Sequence, residues 1–165
     1  MRARSDLIEH LPRLRRYARA LTGDASRADD LVQDTMERAL VKLDLWKPGT
    51  DLRAWLFTVM HNLYVNQARS LRPPGPAIED LPDKPVSGGQ MEALTARDIR
   101  DALAKLPEEQ RAVLLLVGLE QFSYAEAARV IGVPTGTVMS RLARARERMR
   151  RMLTGEPVVN LKAVK

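Results

Sequence analysis

Apolar positions recur along this chain at steps of three and four, the spacing of amphipathic helices, everywhere except one central stretch. Leu7, Leu11, Leu14, Ala18 and Leu21 form one stripe and predict a helix from about Ser5 to Leu21, with Arg13, Arg15, Arg16 and Arg19 mostly outside it. Gly23 and Asp24 end it. A second helix is predicted from about Ser26 to Leu43, with Leu31, Thr35, Met36, Ala39, Leu40 and Leu43 as its buried seam. Lys47-Pro-Gly-Thr50 reads as a turn. A third helix then runs from about Asp51 to Ser70, with Leu52, Trp55, Leu56, Val59, Met60 and Leu63 on its core face. Arg53, Phe57, His61, Tyr64 and Ala68 lie along the opposite face, where two aromatic rings are unusual for a solvated surface.

Residues 73–90 hold five prolines and three glycines. Proline lacks a donor and costs about 3 kcal/mol inside a helix. The expectation there is a flexible linker at a domain boundary. Helical spacing resumes from Met91 to Leu106. Pro107 is suited to a first helical position, followed by Glu108 and Glu109 at the positive end of the dipole. Ala112–Leu119 is apolar all round and predicts a central helix. Ser123-Tyr-Ala-Glu126 is a capping-box pattern. The helix it starts stops at Gly132, and Thr135 opens another: helix, tight glycine turn, helix. The fold class expected is all-α, as two small helical domains, 1–72 and 93–155, joined by the linker 73–92 and followed by a frayed tail, 156–165.

Charge sharpens this division. The net charge is +6. Residues 1–72 carry 13 basic and nine acidic side chains, residues 73–92 one and four, and residues 93–165 thirteen and eight. Two basic blocks flank an acidic connector. Basic blocks attract phosphate backbones, although an ordinary solvated surface has the same composition. Within the second helix, Asp30, Gln33, Asp34 and Glu37 recur on one face, beside Asp29. The helix dipole accounts for acids in a first turn but poorly for Glu37, two turns further in. The last helix carries Val138, Leu142, Ala145 and Met149 on its packing face, with Thr137, Ser140, Arg141, Arg144 and Arg148 on the other. Residues 141–151 include six arginines and one glutamate. Like charges at helical spacing repel, so an acidic partner is one reason for them to be together; a solvated helix closing a bundle is the plainer alternative.

Several classes of function lose support. The absence of cysteine removes disulfides and cysteine-ligated zinc. His10 and His61 are far apart. No P-loop, catalytic triad or metal-ligand spacing is present, so neither catalysis nor a cofactor or metal is expected. No apolar run approaches the roughly 18 residues that a membrane helix requires, and the N-terminus has no apolar signal core. A cytoplasmic protein is expected.

Four segments in order carry a family resemblance: Ala28-Asp-Asp-Leu-Val-Gln-Asp-Thr-Met-Glu-Arg-Ala-Leu40, Leu52-Arg-Ala-Trp-Leu-Phe-Thr-Val-Met-His-Asn62, Leu106-Pro-Glu-Glu-Gln-Arg111, and Gly132-Val-Pro-Thr-Gly-Thr-Val-Met-Ser-Arg-Leu-Ala-Arg-Ala-Arg146. Over residues 5–153 the chain resembles the extracytoplasmic-function (ECF) sigma factors, which direct bacterial RNA polymerase to promoters. The resemblance implies that Asp30, Gln33, Asp34 and Glu37 dock on core polymerase. It implies that Phe57, His61 and Asn62, with Tyr64, Asn66 and Arg69 nearby, melt and read the −10 element. Single-stranded bases stack on rings and bond through exposed edges. It places Thr137, Met139, Ser140, Arg141, Arg144 and Arg148 at the −35 element. Met139 stands where a basic residue is common, and Ala143 where some members carry a large side chain. Promoter DNA, core polymerase and an anti-sigma factor are the implied partners. The rival readings are a sigma-like decoy that sequesters an anti-sigma factor without binding DNA, and a dimeric helix-turn-helix regulator. The latter leaves the acidic helix unexplained.

Overall fold

The structure, a computed structural model, describes residues 2–71 and 95–155. The expected linker 73–92, the start of the helix placed at Met91 and the tail 156–165 lie outside the described residues. Among the described residues all regular structure is helical.

The single first helix of the sequence reading is two, α1 (Arg2–Glu9) and α2 (Leu11–Thr22). Pro12 sits at the start of α2, where its missing donor is harmless, and continuing α1 through it would cost a hydrogen bond. α2 ends at Gly23, whose φ of 69° is the left-handed cap that glycine adopts without a Cβ penalty. Asp24 caps α3 (Ala25–Val41) by accepting from the Arg27 N–H. Asp29 is exposed within the helix. Leu31, Thr35 and Ala39 are buried as expected, but Leu40 is exposed. A 3-10 turn (Leu43–Leu45) leads to α4 (Leu52–Leu71).

α4 is buried on two sides. Leu52, Leu56 and Met60 face the N-terminal bundle, and Phe57, Tyr64 and Ala68 are buried too. The second cover is α7 of the C-terminal lobe, which packs along α4. The cores of the two lobes merge into one apolar cluster. Such a merger suits a short chain, because larger cores bury a greater fraction of their surface.

In the C-terminal lobe, α5 (Ala96–Lys105) starts on a Thr95/Asp98 capping box. Pro107 is the residue just outside α6 (Glu108–Leu114), one position earlier than the sequence reading. The apolar run continues as a π turn (Leu115–Leu119), and Leu115 and Leu116 are buried. Arg111 ties helix ends together. Its guanidinium donates to the carbonyls of Leu103, Ala104 and Leu106 at 2.7, 3.0 and 2.7 Å, and to that of Leu21 at the end of α2 at 2.9 Å. Ala104 and Leu21 are among the last carbonyls of α5 and α2, which a helix terminus leaves without intrahelical partners. The Ser123/Glu126 box starts α7 (Tyr124–Ile131) as expected, and Gly132 caps it at φ 81°. α8 (Thr135–Thr154) follows and packs on α6, α7 and α5 through Val138, Leu142, Ala145 and Met152.

Candidate nucleic-acid and polymerase interfaces

α7, the Gly132 turn and α8 form the helix-turn-helix. Because Val138, Leu142 and Ala145 are held in the core, the intervening positions must point outward. Met139, Ser140, Ala143 and Arg144 are exposed, and Thr137 is half-buried. The Ser140 hydroxyl donates to the Thr137 carbonyl at 3.1 Å, an arrangement that keeps its lone pairs outward. Met139 is 52% exposed, a large apolar side chain in solvent on an otherwise polar face. The arginines divide. Arg141 turns toward Glu109 of α6, 3.7 Å away. Arg148 is half-buried. Glu147 binds Arg150 at 2.9 Å and Arg151 at 2.8 Å. These two hydrogen-bonded guanidinium groups pull the Glu147 carboxyl down to about 2. The lone acid thus offsets charge at the far end of α8, and Arg144 is exposed at its middle.

On α3, Asp30, Gln33, Asp34 and Glu37 are all exposed. Gln33 donates to Glu37 at 3.3 Å along the helix, and Gln67 of α4 donates to Asp34 at 3.1 Å. The row continues into exposed apolar side chains at the helix end, Leu40 and Val41, and on to Leu45 in the following turn.

The residues assigned to the −10 element are split. Asn62, Asn66 and Arg69 are exposed on α4. Phe57, His61 and Tyr64 are buried, contrary to the accessible face that base stacking requires. The reason is tertiary: their side of α4 is covered by the C-terminal lobe. Phe57 lies edge-on between Tyr17 and Phe122, with both ring centroids 5.2 Å away. Burial, aided by the nearby Arg141 charge, holds the His61 imidazole below its ordinary value. Burial likewise raises Tyr64, with Glu108 adding to it. His61, Tyr64 and Arg69 line a cleft of about 320 Å³ together with Glu108, Glu109 and Arg141. Residues expected to serve two different promoter elements thus meet across one crevice. The apolar end of the acidic row, and the seam residues Arg16, Arg53, Glu120 and Phe122, were not anticipated. Leu40 is expected in the buried seam of that helix and is exposed instead, and Val41 and Leu45 are visible in the sequence only as apolar residues at its end. The seam residues are distant in sequence and carry no local signal.

The structure thus combines a helix-turn-helix with an open outer face and a second helical lobe that carries an exposed acidic row. Comparison with known proteins identifies the family. Residues 7–61 match the model described as the sigma2 domain of PhyR, and residues 96–149 match sigma-70, region 4. The chain is 42% identical to the ECF RNA polymerase sigma factor EcfG of Rhodopseudomonas palustris, across 91% of this chain and 84% of that one. It is 39% identical to the ECF sigma factor SigL of Mycobacterium tuberculosis, across 86% and 82%. Among solved structures, it is similar to the sigma factor RpoE of Bartonella quintana in complex with the anti-sigma factor NepR, with a TM-score of 0.74, 36% identity, and coverage of 91% of this chain and 95% of that one. It also resembles the PhyR–NepR complex of Sphingomonas sp. Fr1, with a TM-score of 0.65, 26% identity, and coverage of 98% and 93%. The chain belongs to the ECF RNA polymerase sigma factors.

Proposed function

We infer that this chain is a transcription initiation factor that binds core RNA polymerase and brings it to promoters by reading −10 and −35 elements. The observation that carries this reading is the pairing of two exposed surfaces on one chain: the acid row of α3 and the outer face of α8. Opposite charge favours rapid, oriented docking, so Asp30, Gln33, Asp34 and Glu37 are proposed to meet a basic surface of the polymerase. Thr137, Met139, Ser140, Arg141, Arg144 and Arg148 are proposed to enter the major groove, with Arg144 bonding a guanine edge. Phe57, His61, Asn62, Tyr64, Asn66 and Arg69 are proposed to hold the unstacked −10 strand once their face of α4 is uncovered. The work is binding, with no reaction of its own and no cofactor, and takes place in the cytoplasm, where polymerase and DNA are found. Residues 1–72 and 93–155 are proposed as the two functional domains, with 73–92 joining them. An anti-sigma factor is proposed as the controlling partner, since two of its solved relatives are complexes with NepR.

A decoy reading draws on the match of residues 7–61 to the PhyR model and on the likeness to the PhyR–NepR complex. The exposed face of α8 and the identity to named sigma factors along most of the chain favour the sigma factor. Run-off transcription with core polymerase tests the choice. Promoter-dependent transcripts are expected, and Asp30→Lys with Asp34→Lys should weaken core binding about tenfold or more. Binding to an anti-sigma factor without any transcript, on every promoter tried, would establish the decoy.

A further inference from the structure

We propose that the turn Glu120–Phe122 is an intramolecular latch: it holds the free chain closed over its own −10 reading face, and promoter engagement requires it to be drawn out. The proposal rests on the functional reading above and concerns its regulation.

The turn belongs to the C-terminal lobe but is seated in the N-terminal one. The Glu120 side chain is fully buried and takes both Nε and Nη2 of Arg16, at 3.2 and 3.1 Å. Arg53 clasps the same turn from α4. It donates to the Glu120 carbonyl at 3.1 Å, lies 4.1 Å over the Phe122 ring and approaches Glu126 at 3.8 Å. A guanidinium over an aromatic face is attracted by the ring quadrupole. Phe122 completes the seat by meeting Phe57 edge-on. The hydrogen-bond, ion-pair and ring contacts of Arg53 thus all cross the seam.

The seat is also built to be left. Glu120 Oε2 is buried and has no protein donor, and a buried carboxylate with incomplete partners adds little net stability. Arg16, its partner, is 54% exposed and can be solvated again when the contact parts. Gln121, between Glu120 and Phe122, sits at φ 59°, the one non-glycine residue with positive φ among the described residues. Left-handed backbone in a residue with a side chain is held only by its surroundings. Directly before it lies the π turn, a helix form enriched at functional sites. Withdrawing the turn would restore full solvation to the acid, release the strained residue and uncover Phe57. A contact that consists of charge, strain and an aromatic wedge is suited to a two-state element that a partner can bias.

The chain has no cysteine, so two labels can be placed without removing any. Ser26→Cys and Arg129→Cys, both exposed and one on each lobe, report the separation of the lobes by single-molecule energy transfer. The free chain is expected to show one compact distance. Arg53→Ala is expected to raise the open-to-closed ratio about tenfold, the scale for losing charged hydrogen-bond contacts, while Arg53→Lys falls between. Circular dichroism verifies that the helices remain. Phe122→Ala, on the other side of the seam, should open the chain in the same direction. A broad distance distribution in the unmodified chain, or distances that neither substitution changes, would overturn closure. These measurements involve neither polymerase nor promoter, so their outcome is separate from that of transcription assays. Binding of the free chain to a random single-stranded DNA oligonucleotide should rise in Arg53→Ala. Opening without such a rise would overturn the inhibitory role.

Discussion

The two surfaces proposed to meet DNA are built in opposite ways. The outer face of α8 is finished before any partner arrives: its positions alternate with anchored core residues, and Met139, Ser140 and Arg144 stand in solvent. The corresponding face of α4 is closed, with Phe57, His61 and Tyr64 inside the protein. Duplex DNA presents base edges in the groove without distortion, so a rigid, exposed helix suffices to read it. An unstacked base needs aromatic and apolar walls. Those same walls, left open, are a sticky apolar surface that a free protein does better to cover.

The largest expected effect tests whether the α4 face is core in the free chain. Phe57→Ala removes a ring packed against two others and should cost about 3–5 kcal/mol in urea unfolding, whereas Met139→Ala on α8 should stay within about 0.5 kcal/mol. Equal costs for the two would erase the contrast. Next in size is Arg144→Glu, expected to lower run-off transcription about 100-fold while leaving the thermal midpoint unchanged. One groove contact is lost and a phosphate repulsion added. A loss of stability instead would mean that Arg144 holds the bundle. The smallest effect concerns Glu147. Its carboxyl is held below the ordinary value, so its contribution to stability is present above about pH 4.5 and fades as pH falls toward about 2. Glu147→Gln should therefore lower the thermal midpoint slightly at pH 7. The gap from the unmodified chain should close over that acidic window, as followed by thermal melts at stepped pH.

Much of this organisation is legible locally. The Ser123/Glu126 cap, the Gly132 stop and the anchored positions of α8 are near-neighbour effects, set by hydrogen bonding of backbone ends and by helical periodicity. They suffice to put Ser140 and Arg144 on an outer face. The acid row on α3 is legible for the same reason. The break at Pro12 was missed because the apolar stripe runs unbroken across it, and an apolar stripe does not register one lost donor.

By itself, then, the sequence determined most of the helices, the Ser123/Glu126 cap, the helix-turn-helix and the exposed acidic and basic rows, because each depends on residues within a turn or two of one another. Only the tertiary structure decided that α4 is buried on both sides. The aromatic face of that helix suits an unstacked base and a neighbouring lobe equally well. The choice between them rests on contacts between residues far apart in the chain, such as Phe57 with Phe122 and Arg16 with Glu120.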